Sequence, residues 1–209
     1  REGYPRNDIF RQPANLHLKE QVGLQGKKLL AYLPTFRGNF DALDDQGYMQ
    51  TLSQNLSLWD SQLNEDEILL IKLHPFLHGL EDFSGYHHIL PFPVSWDTYE
   101  GLSVCDTLIT DYSSVSWDVL YQNKPTLFYQ FDLDKYNEAH GSYIDMKTDL
   151  FGDRAETLDQ LLDSLEKTIQ NGFRMEPKYE QMQQEYFRFE DHEHSRHICE
   201  EIKKWMKRK

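Results

Sequence analysis

Cysteine is scarce: the 209 residues hold two, Cys105 and Cys199. They lie far apart in different predicted elements, with neither a disulfide framework nor metal-ligand spacing, which fits a reducing, cytoplasmic setting. Long apolar runs are missing too. No stretch approaches the roughly 20 residues needed to cross a bilayer, and Arg1 to Asp8 has neither a signal peptide's apolar region nor a starting Met. That beginning is expected of a piece of a longer protein. Basic residues are in short supply, with 22 Lys and Arg against 35 Asp and Glu and a net charge of −13. Nucleic-acid binding needs clustered Lys and Arg on phosphates, so no nucleic-acid partner is expected and an anionic ligand has to be held locally. There is no internal repeat and no low-complexity segment.

What is present suffices for one sizeable core, at 39% hydrophobic residues, and is too short for two independent domains. Arg1 to Asp8 is polar and turn-rich, a hinge in character, and 15–22 predicts a helix ending near Gly23. Strands are predicted over 28–33, 68–73, 88–90, 106–110 and 126–129. Helices are predicted over 44–63, 96–104, 114–121, 156–170 and 177–187. Strand and helix alternate, which argues for an α/β fold with a Rossmann-like, doubly wound parallel sheet and right-handed crossovers. The expected organisation is a hinge and first helix over 1–25, a Rossmann-like nucleotide-diphosphate domain over 26–175 and a helical tail over 176–209.

The central unit runs from Cys105 to Asp134: a buried strand, the polar turn Asp111-Tyr112-Ser113, a helix and a second strand. The turn sets hydroxyls at a helix start, where unpaired N–H groups and the positive end of the dipole attract phosphate. Asp118, four residues after Ser114, shares its helix face, within reach of a ribose or polyol hydroxyl. A plain helix cap by Asp111 or Ser113 is the competing reading. The loops after the other strands reach the same carboxyl edge of the sheet, where open α/β folds bind ligands. They carry Thr35 and Arg37 as candidate phosphate donors and Lys72 with His74 as candidate diphosphate contacts. For Arg37 a solvated loop charge, and for Lys72 and His74 a snorkelling amine and a loop hydrogen bond, are the alternatives. The segment 130–136, acidic and aromatic, either closes over the ligand or is an ordinary surface loop. His192, His194 and His197 resemble a metal cluster, but their acidic neighbours favour a solvated helix start. The basic end around Trp205 and Met206 is read as an anionic-membrane contact or a short solvated tail.

Tyr4-Pro5-Arg6-Asn7-Asp8, Leu30 to Arg37, Lys72-Leu73-His74-Pro75, Ile109 to Val115 with Asp118, and Pro125 to Tyr136 occur in an order that resembles the CDP-glycerol glycerophosphotransferase family. The chain is similar to that family's carboxyl-terminal, donor-binding half, one half of a GT-B fold. The resemblance implies transfer of glycerol phosphate or ribitol phosphate from a CDP-linked polyol to a lipid-linked or polymer hydroxyl acceptor, in teichoic acid or capsule synthesis. It implies no cofactor and no metal. It makes Ser113 and Ser114 donor-phosphate contacts, Asp118 a hydroxyl acceptor for the donor's ribose and His74 a catalytic, phosphate-stabilising residue. It implies that Arg6, Asn7, Thr35 and Arg37 match positions facing the same cleft. The general base is a His of the amino-terminal half, so the isolated chain is expected to be inactive. The expected location is the cytoplasm, peripheral on the inner face of the membrane. A nucleotide-sugar GT-B half and a non-catalytic nucleotide-binding module are the alternatives.

Overall fold

The computed structural model describes residues 3–11, 15, 17–35, 45–73, 82–189 and 191–207, excluding the side chains of 45–51. A 3-10 helix, Pro5–Arg11, is followed by α1 (Leu18–Gln21), β1 (Lys28–Tyr32), α2 (Asp45–Gln62), β2 (Glu67–Ile71) and β3 (Ile89–Pro91). Next come α3 (Thr98–Val104), β4 (Thr107–Thr110), α4 (Val115–Tyr121), β5 (Thr126–Tyr129) and α5 (Leu133–Ala139). The chain continues through β6 (Asp153–Ala155), α6 (Leu158–Gln170), α7 (Pro177–Tyr186) and α8 (His194–Met206).

The strands form one six-stranded sheet in the order β3-β2-β1-β4-β5-β6, every pair parallel. A strand exposes alternate side chains to opposite faces, and the apolar runs divide accordingly. Leu30, Tyr32, Leu69, Ile71, Ile109, Leu127 and Tyr129 meet Leu56 and Trp59 of α2 and Leu161 and Leu165 of α6. Leu29, Ala31, Ile68, Leu70 and Leu108 meet Leu18 of α1, Leu102 of α3 and Val119 of α4 on the other face. A third cluster joins Leu120 and Phe128 to Phe151 and Met175, with Tyr179 and Met182 of α7 packed on it. Burying both faces explains why these strands are nearly all apolar and not alternating.

Three elements depart from the sequence expectation. Part of the segment read as a polar, turn-rich hinge forms the 3-10 helix Pro5–Arg11, with Pro5 at its first position, where the missing N–H leaves no bond unmade. The segment 130–136 contains most of α5, whose buried anchor is the single residue Leu133, too little for an apolar periodicity. The strand β6 is three residues long, Asp-Arg-Ala, at the sheet edge. It is positioned by its neighbour, since a Cβ on the preceding Gly152 would lie 2.0 Å from the Thr126 carbonyl oxygen. The other elements fall where expected, with ends shifted by one to three residues, as at α1, β2 and β3.

Candidate functional site

The order of the strands reverses between β1 and β4, and in open α/β sheets the crevice beyond that point is where ligands bind. Asp111, the first residue after β4, ties the crevice together. Its buried carboxylate accepts from the Thr35 amide at 2.9 and 3.0 Å, from the Thr35 hydroxyl at 2.6 Å and from the Tyr112 amide at 2.6 Å. The Asp111 carbonyl accepts from Gln130 Nε2 at 3.0 Å, and Gln130 Oε1 accepts from Arg154 Nε at 2.9 Å. One network therefore fixes the loops after β1, β4 and β5 relative to each other and to β6. Thr35 stands at the expected place, with its hydroxyl engaged by Asp111.

Ser113 and Ser114 follow in the turn into α4. Ser114 occupies the cap position with φ −64° and ψ −11°, and its side chain makes no capping bond. Ser113 Oγ accepts from the Val115 amide only at 3.5 Å, the outer limit for such a bond. Capping thus makes little use of either hydroxyl. Both line a cavity of about 260 Å³ whose other walls include Trp117, Tyr136, Ser142, Tyr143 and Met146. Tyr112 stacks on Tyr136 at 3.7 Å and donates to Asp132 Oδ1 at 2.8 Å, so α5 is held against the turn.

Asp118 lies one turn into α4 and is paired with Arg6 of the 3-10 helix. Nε donates to Oδ1 at 3.0 Å and NH2 lies 2.8 Å from Oδ2. The guanidinium stands between the Tyr4 and Tyr99 rings, 4.7 and 4.6 Å from their centroids, and its NH1 donates to the Tyr99 hydroxyl at 2.6 Å. Asp118 is 2% exposed. Burial pushes its carboxyl up to about 6, against the pull of Arg6. Arg6 and Asp118, 112 positions apart, thus form one unit.

Asn7 is buried next to Arg6, with its carbonyl 3.1 Å from His192 Nδ1. Lys72 sits beyond the end of β2 with Nζ 5.0 Å from the Phe92 ring centroid. Arg37 and His74 lie outside the described residues. The three tail histidines do not converge on one point: His194 Nε2 lies 2.9 Å from the Tyr121 hydroxyl, His192 Nδ1 lies 3.4 Å from that hydroxyl and 3.1 Å from the Asn7 carbonyl, and His197 turns away to Asp191 at 3.3 Å. Asp191, Glu193 and His197 do bring ligand atoms within 4.8 Å of one another, but Arg196 bonds Glu193 there. The residues that sequence reasoning missed are the cavity's aromatic and apolar walls. Their one signal was the aromatic character of 130–136; the wall from 141–151 carried none, because it reaches the turn only through the tertiary fold.

The sequence matches the family described as CDP-Glycerol:Poly(glycerophosphate) glycerophosphotransferase over residues 1–204. It is 30% identical to a teichoic acid glycerol-phosphate transferase of Staphylococcus aureus, across 96% of this chain and 53% of that protein. It is 31% identical to a teichoic acid poly(ribitol-phosphate) polymerase of Bacillus spizizenii, across 81% of this chain and 28% of that protein. Among solved structures, a variant of the wall teichoic acid polymerase TagF superposes with a TM-score of 0.79 at 27% identity, covering all of this chain and 52% of that one. The same variant soaked with CDPG gives 0.78 at 26% identity and the same coverage. The chain thus spans about half the length of the Staphylococcus aureus transferase and of the TagF variant. The doubly wound sheet is one half of a GT-B architecture.

Proposed function

Since the chain belongs to the CDP-glycerol:poly(glycerophosphate) glycerophosphotransferase family, we propose that it is the donor-binding half of a transferase. That enzyme moves glycerol phosphate or ribitol phosphate from a CDP-linked polyol to a lipid-linked or polymer hydroxyl acceptor in teichoic acid or capsule synthesis. The observation that carries this reading is the Ser113-Ser114 turn, fixed by Asp111 at the switch point with both side chains on an open cavity. Attack on the donor's β-phosphorus builds charge on the phosphoryl oxygens and on departing CMP, and fixed hydroxyl and N–H donors stabilise both. His74 is assigned to the same charge, with Arg37 and Lys72 as further cations. Asp118, held by Arg6, is assigned to the ribose hydroxyls, and Thr35 acts by positioning Asp111 and the turn. The base that deprotonates the acceptor comes from an amino-terminal half, as in the family pattern.

Among the described residues no helix is long and apolar enough to cross a membrane. A cytoplasmic place on the inner membrane face belongs to the same proposal. Its support is α8, which exposes Ile202, Trp205 and Met206 beside Lys203 and Lys204, a pattern suited to an anionic interface.

The test is calorimetry with CDP-glycerol, CDP-ribitol, CMP and UDP-sugars. A cytidine donor should bind, and Ser113→Ala with Ser114→Ala should weaken it by about 1 to 3 kcal/mol without loss of folding, as expected for charge-assisted hydrogen bonds. Preference for a UDP-sugar would make the chain a nucleotide-sugar transferase half, and unchanged affinity in the double variant would remove the serines from the site.

A further inference from the structure

Resting on the donor reading above, we propose that the cavity between α4 and the 141–151 segment holds the donor's polyol, with Tyr143 at its rim sorting one polyol from another. The cavity, at about 260 Å³, is below the usual range for sites that enclose a whole drug-sized ligand. It therefore has room for one part of a CDP-polyol, and three parts compete for it.

The diphosphate is excluded by charge. Among the described residues, the only Asp, Glu, Lys, Arg or His on the cavity wall is Asp111, whose carboxylate is bonded to Thr35 and to the Tyr112 amide. Two buried phosphate charges with no cation beside them would be costly, so the phosphates stay at the mouth, by Ser113 and Ser114. The base is excluded by connectivity and by chemistry. Between it and the phosphates lies the ribose, and Asp118, the ribose acceptor, is not on the cavity wall. Among the described residues the wall also has no Asn, Gln or Arg side chain to read a pyrimidine edge in the way such groups read bases elsewhere.

The polyol remains, and it fits on both counts. It is bonded directly to the β-phosphate and so must lie beside whatever holds that phosphate. Its hydroxyls donate and accept, as do those of Ser142, Tyr136 and Tyr143, while its carbon chain can lie on Trp117 and Met146. Tyr143 is fully exposed on the loop after Gly141, which has φ +70°. An aromatic ring in open solvent at a cavity mouth is placed to cover an occupant.

The experiment is calorimetry on the chain with CDP, CDP-glycerol and CDP-ribitol, repeated on Tyr143→Ala and on Ser142→Phe, which fills the cavity from its exposed rim. One CDP-polyol should bind at least fivefold tighter than CDP. Ser142→Phe should abolish that difference and Tyr143→Ala should narrow it, each leaving the CDP dissociation constant within twofold. If CDP binds and the polyol adds nothing, or if both variants weaken CDP as much as CDP-polyol, the polyol is elsewhere and the donor reading survives. If CDP itself does not bind the unaltered chain, the donor reading and this assignment fall together.

Discussion

At the scale of single residues the most informative pair is Arg6 and Asp118. Removing one partner of a buried ion pair leaves the other uncompensated, a loss of about 3 to 5 kcal/mol, and Arg6→Ala should approach the lower figure because Arg6 is 27% exposed. The sign of the pH effect follows from Asp118, whose carboxyl is held by burial at about 6, above the ordinary aspartate value of 3.8. Folding takes up a proton between those values, so this group's contribution to stability falls as pH rises from about 4 to 6 and is flat above. Without Arg6 the carboxyl rises further. The melting-temperature gap between wild type and Arg6→Ala should therefore be widest near pH 8 and shrink towards pH 5; a gap independent of pH would mean that Asp118 does not titrate there. The sequence made Asp118 legible as a helix-face neighbour of Ser114, and Arg6 legible as a cleft residue. It carried no sign that the two touch, because helical spacing reports neighbours three or four residues apart and not a contact across most of the chain.

At the scale of elements, the strands were legible wherever both faces are buried, since a run such as Ile68 to Ile71 has no other use in a water-soluble sheet. The failures were the 3-10 helix, read as a hinge, and α5 and β6, which are held by neighbours rather than by their own pattern: Tyr112 on Tyr136 for α5, Gly152 against Thr126 for β6. Contact between the two ends of the chain was equally hidden. Asp8 of the 3-10 helix accepts from the His194 and Ser195 amides at 2.8 and 2.9 Å, capping α8 from the opposite end of the sequence. Burial works against the Asp8 carboxylate, but hydrogen bonds from Ser195 and His194 hold its pKa below the usual value. Gly3 closes the contact with φ +79°, where a Cβ would fall 2.1 Å from His194 Nδ1. Losing a cap costs about 0.5 to 2 kcal/mol, so Asp8→Ala should lower stability by that amount and speed amide exchange in the first turn of α8, with β1 and β4 unchanged. Hydrogen exchange read by mass spectrometry would show it. Equal protection at 194–197 in both proteins would mean that the helix start does not depend on Asp8.

At the scale of the whole molecule, the assigned contacts among the described residues lie at or near one end of one parallel sheet, and in a GT-B enzyme that end is a single wall of the cleft. The cavity beside the turn is lined by Asp111, hydroxyls, aromatics and apolar groups, with no histidine among the described residues. Of the tail histidines, His194 is buried against Tyr121, and His192 is bonded to the Asn7 carbonyl. His74 is assigned to the phosphate. A transferase without its base and its acceptor wall loses proton transfer and positioning together, and positioning alone accounts for about 7 to 11 kcal/mol of a barrier. Donor binding has no such need, because the turn, the Arg6–Asp118 unit and the cavity walls all belong to this chain. The chain alone should therefore bind CDP-glycerol or CDP-ribitol and transfer nothing. With donor and a glycerol-phosphate or lipid-linked acceptor, CMP release should stay at the level of spontaneous hydrolysis, while an enzyme carrying both halves releases it in an acceptor-dependent way. Acceptor-dependent release from this chain at a comparable rate would place the base within these 209 residues and make the division of labour between the halves wrong.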